Sequence, residues 1–308
     1  MAGRVFVTGG SGFVGAAVVS KLLARGHSVN ALTHRRTLQG VADRVNVIRG
    51  DLFDASVLEA CMAGCDAVIH LVGIIFEKRS QRVTFERIHV GGTRAVVDAA
   101  KRAGVRRYLH MSALGTRPNA ASKYHQTKHA AEEYVRASGL DSTIFRPSMI
   151  HGPRGEFMRT EAAWARRRAM PYLFMPYFGA GPLGRGGTGR LQPVFVDDVA
   201  RAFADALERP NTVGRTYCLA GTEVVTWPQL HHVVSEAITG RRRWAVPLPV
   251  WQGKLLARVV PGSLLPFNRD QVVMSQEDST CDPAPFEADF GWIPRPFRET
   301  LATYAKQL

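Results

Sequence analysis

Tyr124 and Lys128 stand four residues apart in the stretch ASKYHQTKHAAEEYV. A phenol with a pKa of about 10 is a poor acid or base at neutral pH. A neighbouring ammonium favours the phenolate and lowers that value. Together, the two residue types suit proton transfer. The same spacing also arises on any amphipathic helix, because residues i and i+4 share a face, and the alanines and glutamates around the pair favour a helix. Taken alone, the pair leaves both readings open; the elements that hold it have to decide.

The amino-terminal stretch GRVFVTGGSGFVGAAVVSKLLARGHSVNALTHRR reads as strand, glycine turn, helix and strand. RVFVT is a β-branched run suited to a buried parallel strand. FVGAAVVSKLLARG repeats apolar residues at helical spacing and stops at Gly26. Between them lie Gly9, Gly12 and Gly15, in the place where a βαβ unit needs them. The first permits a tight turn, the second lets a pyrophosphate approach the backbone, and the third lets helix and strand pack closely. The helix start then offers free N–H groups to the phosphates. The second strand ends at Thr33, His34, Arg35 and Arg36, where a site for NAD places an acid against the ribose 2′-hydroxyl. Positive charge suits a 2′-phosphate instead. The expected cofactor is therefore NADP(H), with NAD(H) left open; solvent-facing arginines are the alternative.

Strands continue to alternate with helices. VNVIRGDL leads to Asp51, DAVIHLVG ends in a small-residue turn, and RRYLHMSALG and DSTIFRPSMI follow, with IHVGGTRAVVDAAKRAG as a crossover helix. The pattern predicts an α/β fold with a doubly wound parallel sheet, and ligands of such sheets lie at the carboxyl ends of the strands. Gly9 to Gly15, Arg35, Asp51, Gly73, Ser112 and Pro147 are thereby nominated for one cleft. The Rossmann portion is expected over residues 1–150 plus about 191–221. A smaller lobe for substrate or partner should span 151–190 plus about 222–308.

Bulk properties narrow the class. The chain has 308 residues, 45% of them hydrophobic, enough for one large or two unequal domains. No charged-then-apolar leader precedes the first strand, and no run of about 18 apolar residues predicts a spanning helix. Cys61, Cys65, Cys218 and Cys281 lack disulfide or zinc spacing and read as reduced thiols, with no metal site. A cytoplasmic protein is expected, or one peripheral at the inner face of a membrane. The net charge is +14, which suits an anionic lipid, an acidic protein or a phosphorylated cofactor. No nucleic-acid-binding signature accompanies the arginines.

With these pieces in place, the chain resembles the extended or atypical short-chain dehydrogenase/reductases. The matching segments are TGGSGFVG, GDL, HLVG, SALG, YHQTK, RPSMIHGP and PVFVDDVARAF, in family order over roughly residues 3 to 221. HLVGIIFE and SALGTRPNAASKYHQTKHAAEE are most similar to the branch that contains the nucleotide-binding accessory subunit of respiratory complex I and its bacterial relatives. The resemblance implies that Ser112, Tyr124 and Lys128 lie beside a nicotinamide, with Lys128 also reaching the cofactor ribose. It extends the cofactor set to Thr8, Phe13 and Val14 around the glycine turn, to His34 and Arg36 beside Arg35, and to Leu52 after Asp51. Leu71 and Val72 before Gly73, and Ser148 and Met149 after Pro147, complete it.

Two positions depart from the family. Nucleotide-sugar epimerases and dehydratases carry an arginine seven positions before the second aspartate of their VDD-like segment. Here that position is Leu191, with Arg190 adjacent. The asparagine before V-x-G-T, part of the family's active-site network, is His89. Asp197 and Asp198 precede a helix and read as caps. The implied function is an NADPH-dependent oxidoreductase acting on a carbonyl or quinone-like compound. The alternatives are a cofactor-binding accessory protein of a membrane respiratory complex, and a nucleotide-sugar epimerase or dehydratase.

The remaining segments break the βαβ pattern. PVWQGKLLARVV sets Trp251, Leu255, Leu256, Val259 and Val260 on one helical face, away from Lys254 and Arg258. This face fits a lobe packed on the Rossmann domain, a pocket for a lipophilic substrate, or a basic-apolar surface resting on a membrane. Arg166 to Arg168 and Arg241 to Arg243 lie in the same region. LLPFNRDQVVMSQEDSTCD reads as a solvated connector.

Overall fold

The structure, a computed structural model, describes residues 3–34, 44–260, 265 and 267–308. Six strands follow the predicted runs: β1 (Arg4–Thr8), β2 (Ser28–Thr33), β3 (Val45–Arg49), β4 (Ala67–His70), β5 (Arg107–Met111) and β6 (Asp141–Pro147). They pair in parallel in the order β6-β5-β4-β1-β2-β3. A seventh strand that the sequence did not announce, Thr216–Leu219, extends the sheet by pairing in parallel with β6. The order reverses between β1 and β4, so the carboxyl ends of these two strands border the crevice where such sheets hold ligands.

Helices α1 (Phe13–Ala24), α2 (Ala55–Met62), α3 (Gly92–Arg102) and α4 (Lys123–Ala137) cross between the strands. After β6 come α5 (Glu156–Ala165) and α6 (Val196–Leu207). Strand alternation divides the interior into two cores. Val5 and Val7 of β1 pack with α1 and α6, while Phe6 packs with α2 and α3. The crossover into α3 differs from a plain helix: Glu86–Gly91 wind as a wider π-helical turn. Such turns shift the register of side chains and are frequent at functional sites. Here His89 is turned inward and buried.

Beyond the sheet, Phe174–Gly179 and Trp244–Pro249 form a parallel two-stranded ribbon; α7 (Trp227–Thr239) leads into its second strand and α8 (Val250–Val259) follows it. The α8 helix forms where its apolar period places it. Its face points outward, however, with Trp251, Leu255 and Val259 more than half exposed, and only Gly253 is buried. Gly253 is small because Phe178 lies against it; a Cβ there would meet Phe178 Cε1 at 2.5 Å. The last helix, Phe297–Ala302, returns to the main core, where Phe297, Leu301 and Tyr304 are buried. Among the described residues, no helix is long and apolar enough to cross a membrane.

The aspartates before α6 are not caps. Phe195 occupies the cap position, and Asp197 and Asp198 sit inside the first turn, where the helix dipole favours an acid. Asp198 is buried and accepts from the backbone N–H of Arg295 at 2.9 Å and from its guanidinium at 2.7 Å. A partner 97 residues downstream leaves no local trace that could outweigh the capping preference.

Candidate active site

The turn after β1 is built so that only glycines fit it. Gly9 takes a φ of +74°, and a Cβ there would meet the backbone of Leu71 and Val72 at 3.2 Å. A Cβ on Gly15 would stand 2.0 Å from the Gly9 carbonyl oxygen. Gly12, the residue before α1, offers no side chain to cap the helix, so the first N–H groups of α1 remain available to an anion. This bare cradle at the sheet's reversal fits the pyrophosphate of a dinucleotide. Phe13 packs under Gly152 and Gly155. Val14 faces the core, so it can serve a ligand only through its backbone. Thr8 is buried, with Oγ1 2.7 Å from His70 Nδ1.

The helix α4 starts at Lys123, capped by Ser122, whose hydroxyl accepts from the His125 N–H at 3.2 Å. That start puts Tyr124 and Lys128 on one face over the ends of β4 and β5. The Lys128 ammonium is buried and donates to the Met111 carbonyl at 3.0 Å. A Cβ on Gly73 would lie 3.1 Å from Nζ, so the β4 exit loop meets the same group. Burial pushes the Lys128 pKa down to about 8, partly opposed by Glu132. Ser112, next along from Met111, is buried; its N–H donates to the Phe145 carbonyl at 2.7 Å, and its hydroxyl reaches Thr116 Oγ1 at 3.4 Å. Ser112, Lys128 and Gly73 are thus brought together.

Tyr124 is half-buried, its ring edge-on to Phe85 and His89 at centroid distances of 5.8 and 5.3 Å. Burial pushes its phenol up to about 12, in the opposite sense to the lowering expected from Lys128. The physical reason is that apolar and aromatic surroundings penalise the phenolate, while the lysine ammonium is directed at a backbone carbonyl.

His89 stands where the family has an asparagine. Its Nδ1 lies 2.9 Å from Thr127 Oγ1, and its Nε2 lies 3.2 Å from the Ile74 amide nitrogen and 3.1 Å from the Ile74 carbonyl oxygen. Burial pushes His89 down to about 2, so the imidazole is neutral, with one nitrogen donating and the other accepting. Like an amide side chain, it ties α4 to the β4 exit loop without bringing charge. One turn beyond Lys128, Glu132 is buried and receives Arg146 through two bonds of 2.8 and 2.6 Å and Arg136 through one of 2.7 Å. Burial alone would raise this carboxyl; Arg146, the Ser112 hydroxyl and Arg136 outweigh it and hold the group below its ordinary value.

The segment read as a solvated connector is the feature that sequence reasoning missed. Asp270 accepts from the Lys123 N–H at 2.7 Å, Asn268 Nδ2 donates to the Ile75 carbonyl at 2.6 Å, and Glu277 receives Arg117 at 2.8 Å beside His125. The helix Arg269–Met274 therefore grips both the β4 exit loop and the start of α4. The signal was present: Asn268 and Gln271 form a reciprocal capping box, which marks a helix start rather than a coil.

Other nominated residues are dispersed in role. Asp51 is exposed after β3 and accepts from the Phe53 N–H at 3.1 Å, and Leu52 packs against Gly92. His34 is exposed at the end of β2, while Arg35 and Arg36 lie outside the described residues. The buried Pro147 ends β6, and its carbonyl accepts from the Leu114 N–H at 2.8 Å. The Ser148 hydroxyl is engaged by Ser279 at 2.9 and 3.0 Å, and Met149 packs against the main core. Arg190 is committed to Asp278 at 2.6 Å, and Leu191 is buried.

Comparison with known proteins agrees with this architecture. The profile of the NAD dependent epimerase/dehydratase family matches residues 5–220. The chain is 29% identical over 271 residues to NADH dehydrogenase (ubiquinone) 1 alpha subcomplex subunit 9, mitochondrial, of Arabidopsis thaliana, covering 85% of this chain but 64% of that protein. It is 27% identical over 325 aligned positions to sterol demethylase protein B of Methylococcus capsulatus, covering 96% and 95% of the two chains. Among solved structures, MoeE5 in complex with UDP-glucuronic acid and NAD superposes with a TM-score of 0.77 at 22% identity, over 99% of this chain and 98% of that one. With its glycine cradle at the β1 and β4 ends and the Tyr124–Lys128 helix beside it, the chain belongs to the NAD dependent epimerase/dehydratase family, the extended short-chain dehydrogenases/reductases, which bind a nicotinamide cofactor.

Proposed function

We propose that the protein is an NADPH-dependent oxidoreductase that reduces a carbonyl or quinone-like compound. The observation that carries this reading is geometric: the half-buried Tyr124 and the buried Lys128 share one face of α4 beside Ser112. The phenol holds its proton at neutral pH, so it can give it up only as negative charge develops on the substrate oxygen. A bound nicotinamide supplies the hydride. Ser112 orients the substrate oxygen, and Tyr124 delivers the proton to that oxygen. Lys128 keeps a positive charge at the end of β5, in position to meet the cofactor ribose. The preference for NADPH rests on Arg35 and Arg36 after β2, where an acid would select NADH. A nucleotide-sugar substrate is disfavoured, because Arg190 is engaged by Asp278 and Leu191 fills the position the family reserves for arginine. In this reading, residues 1–150 with about 191–221 form the cofactor unit, and 151–190 with about 222–308 form the substrate side.

A second reading, a cofactor-holding accessory protein of a respiratory complex, is favoured by the Arabidopsis relative named as an NADH dehydrogenase subunit. One experiment separates the two. Purified protein is mixed with NADPH or NADH and a panel of quinones and ketones, and nicotinamide absorbance is followed. Oxidation of NADPH with at least one acceptor supports the reductase. Tight NADPH retention without turnover on any acceptor supports the accessory reading and overturns the first.

A further inference from the structure

Two arginine clusters separated in the sequence meet at one end of the small lobe. The α5 helix closes with Arg166 to Arg168, Arg167 adopting a left-handed φ of 57°. Arg243 Nε then donates to the Ala165 carbonyl at 2.8 Å, which fixes the 241–243 cluster against the end of α5. The ribbon register sets Trp244 opposite Phe174, next to Leu173. Trp244 is 77% exposed, Met170 74% and Leu173 65%. Arg167, Arg168, Arg241 and Arg242 are exposed in the flanking segments. Among the described residues, only Arg242 of these four has an acidic partner, Glu236 at 3.0 Å.

We propose that this face docks on an anionic phospholipid bilayer. Three large apolar side chains project from it rather than line a groove, which suits insertion between headgroups better than a pocket for a peptide. An indole is favoured at headgroup depth. Arginine stems can lie along the apolar surface while their guanidiniums remain in the polar layer. Unpaired cations next to protruding apolar groups combine the two attractions that hold a peripheral protein at an interface. The exposed face of α8 is a separate feature. It begins beyond the far end of the ribbon, roughly 20 Å away at the usual rise per residue.

The test is co-sedimentation of the full chain with vesicles of phosphatidylcholine alone or mixed with phosphatidylglycerol. Binding is expected only with the mixed vesicles, and it should be lost near molar salt, where screening reaches about 3 Å. Replacing Arg167, Arg168, Arg241 and Arg242 together with serine should weaken binding at least about tenfold. A companion variant replaces Arg49, Arg94, Lys101 and Arg106 with serine; these are exposed residues of β3, α3 and the segment before β5, not of the small lobe. It should lose less than about half as much on a logarithmic scale, because screening confines attraction to charges near the membrane surface. Trp244→Ser, a change at a largely exposed position that leaves the core intact, should also weaken binding at low salt. Unchanged unfolding temperatures confirm that the variants fold. No binding to anionic vesicles at low salt overturns the proposal. Equal losses in the two charge variants overturn it too, since they would report bulk charge, and unaltered binding by Trp244→Ser removes the apolar contact on which it rests.

Discussion

Lys128 Nζ donates to the Met111 carbonyl at 3.0 Å from a buried position, which brings an ammonium and its carbonyl partner to the end of β5. With the folded pKa near 8 and the ordinary value at 10.5, the folded protein carries this charge at a penalty. The penalty is fully present below about 8, because both states are then protonated. Between about 8 and 10.5 the unfolded chain holds more protons, so stability rises with pH across that window. Lys128→Met should therefore be more stable than wild type at pH 7, by on the order of 1–2 kcal/mol once the lost hydrogen bond is subtracted. The gap should close as the pH rises. Denaturant unfolding at several pH values checks this; a Met variant that is less stable throughout contradicts it.

Tyr124→Phe keeps the ring that packs on Phe85 and His89 and removes only the hydroxyl. Turnover of an accepted carbonyl or quinone should drop at least ~100-fold, the usual lower bound for loss of an acid. NADPH affinity measured by calorimetry should change little. Equal turnover in mutant and wild type would remove Tyr124 from the chemistry.

Glu132 is the shared anchor of Arg146 and Arg136. Glu132→Leu leaves Arg146 without a counter-charge and is expected to cost about 3 kcal/mol, the lower end for breaking a buried pair; Arg136, more exposed, adds little. Because the folded carboxyl lies below its ordinary value of 4.5, its contribution is present above that pH and is lost as the pH falls through the folded value. Wild-type and mutant stabilities should thus converge on acidification. A constant offset down to strong acid would show that packing, not charge, is responsible.

Arg35→Glu should weaken NADPH far more than NADH, by about 1.5–3 kcal/mol for a lost charge-assisted phosphate contact. Titration calorimetry with both nucleotides decides it. A wild-type protein that prefers NADH would refute the reading of the β2 end.

Sequence legibility followed the range over which each feature is encoded. The β1–α1–β2 unit was readable because Val5 to Thr8, the three glycines and the apolar period of α1 all lie within one short window. The helix that carries Tyr124 and Lys128 on one face, and the strand that leads to Ser112, were readable from spacing and pattern. Their environment was not, since the burial that moves Tyr124 and Lys128 comes from strands and loops distant in sequence. Four-residue Thr216–Leu219 carries too little pattern to be told from a loop, and its strand identity depends on the open edge of β6. The Asp198–Arg295 and Arg117–Glu277 pairs bridge the chain, and no local rule foreshadows them.

The late completion of the main core has a consequence for how the chain comes off the ribosome. Tyr304 Oη meets His151 Nδ1 at 2.8 Å across 153 residues, and Phe297 and Leu301 fill the same interior. Until that segment emerges, a nascent chain with its sheet already made still exposes Phe195 and His151. Closing contacts of such long range is entropically slow, and apolar surface left uncovered invites association with other chains. Translation should therefore pass through a chaperone-dependent interval, which ends only when the helix Phe297–Ala302 swings back to close the core.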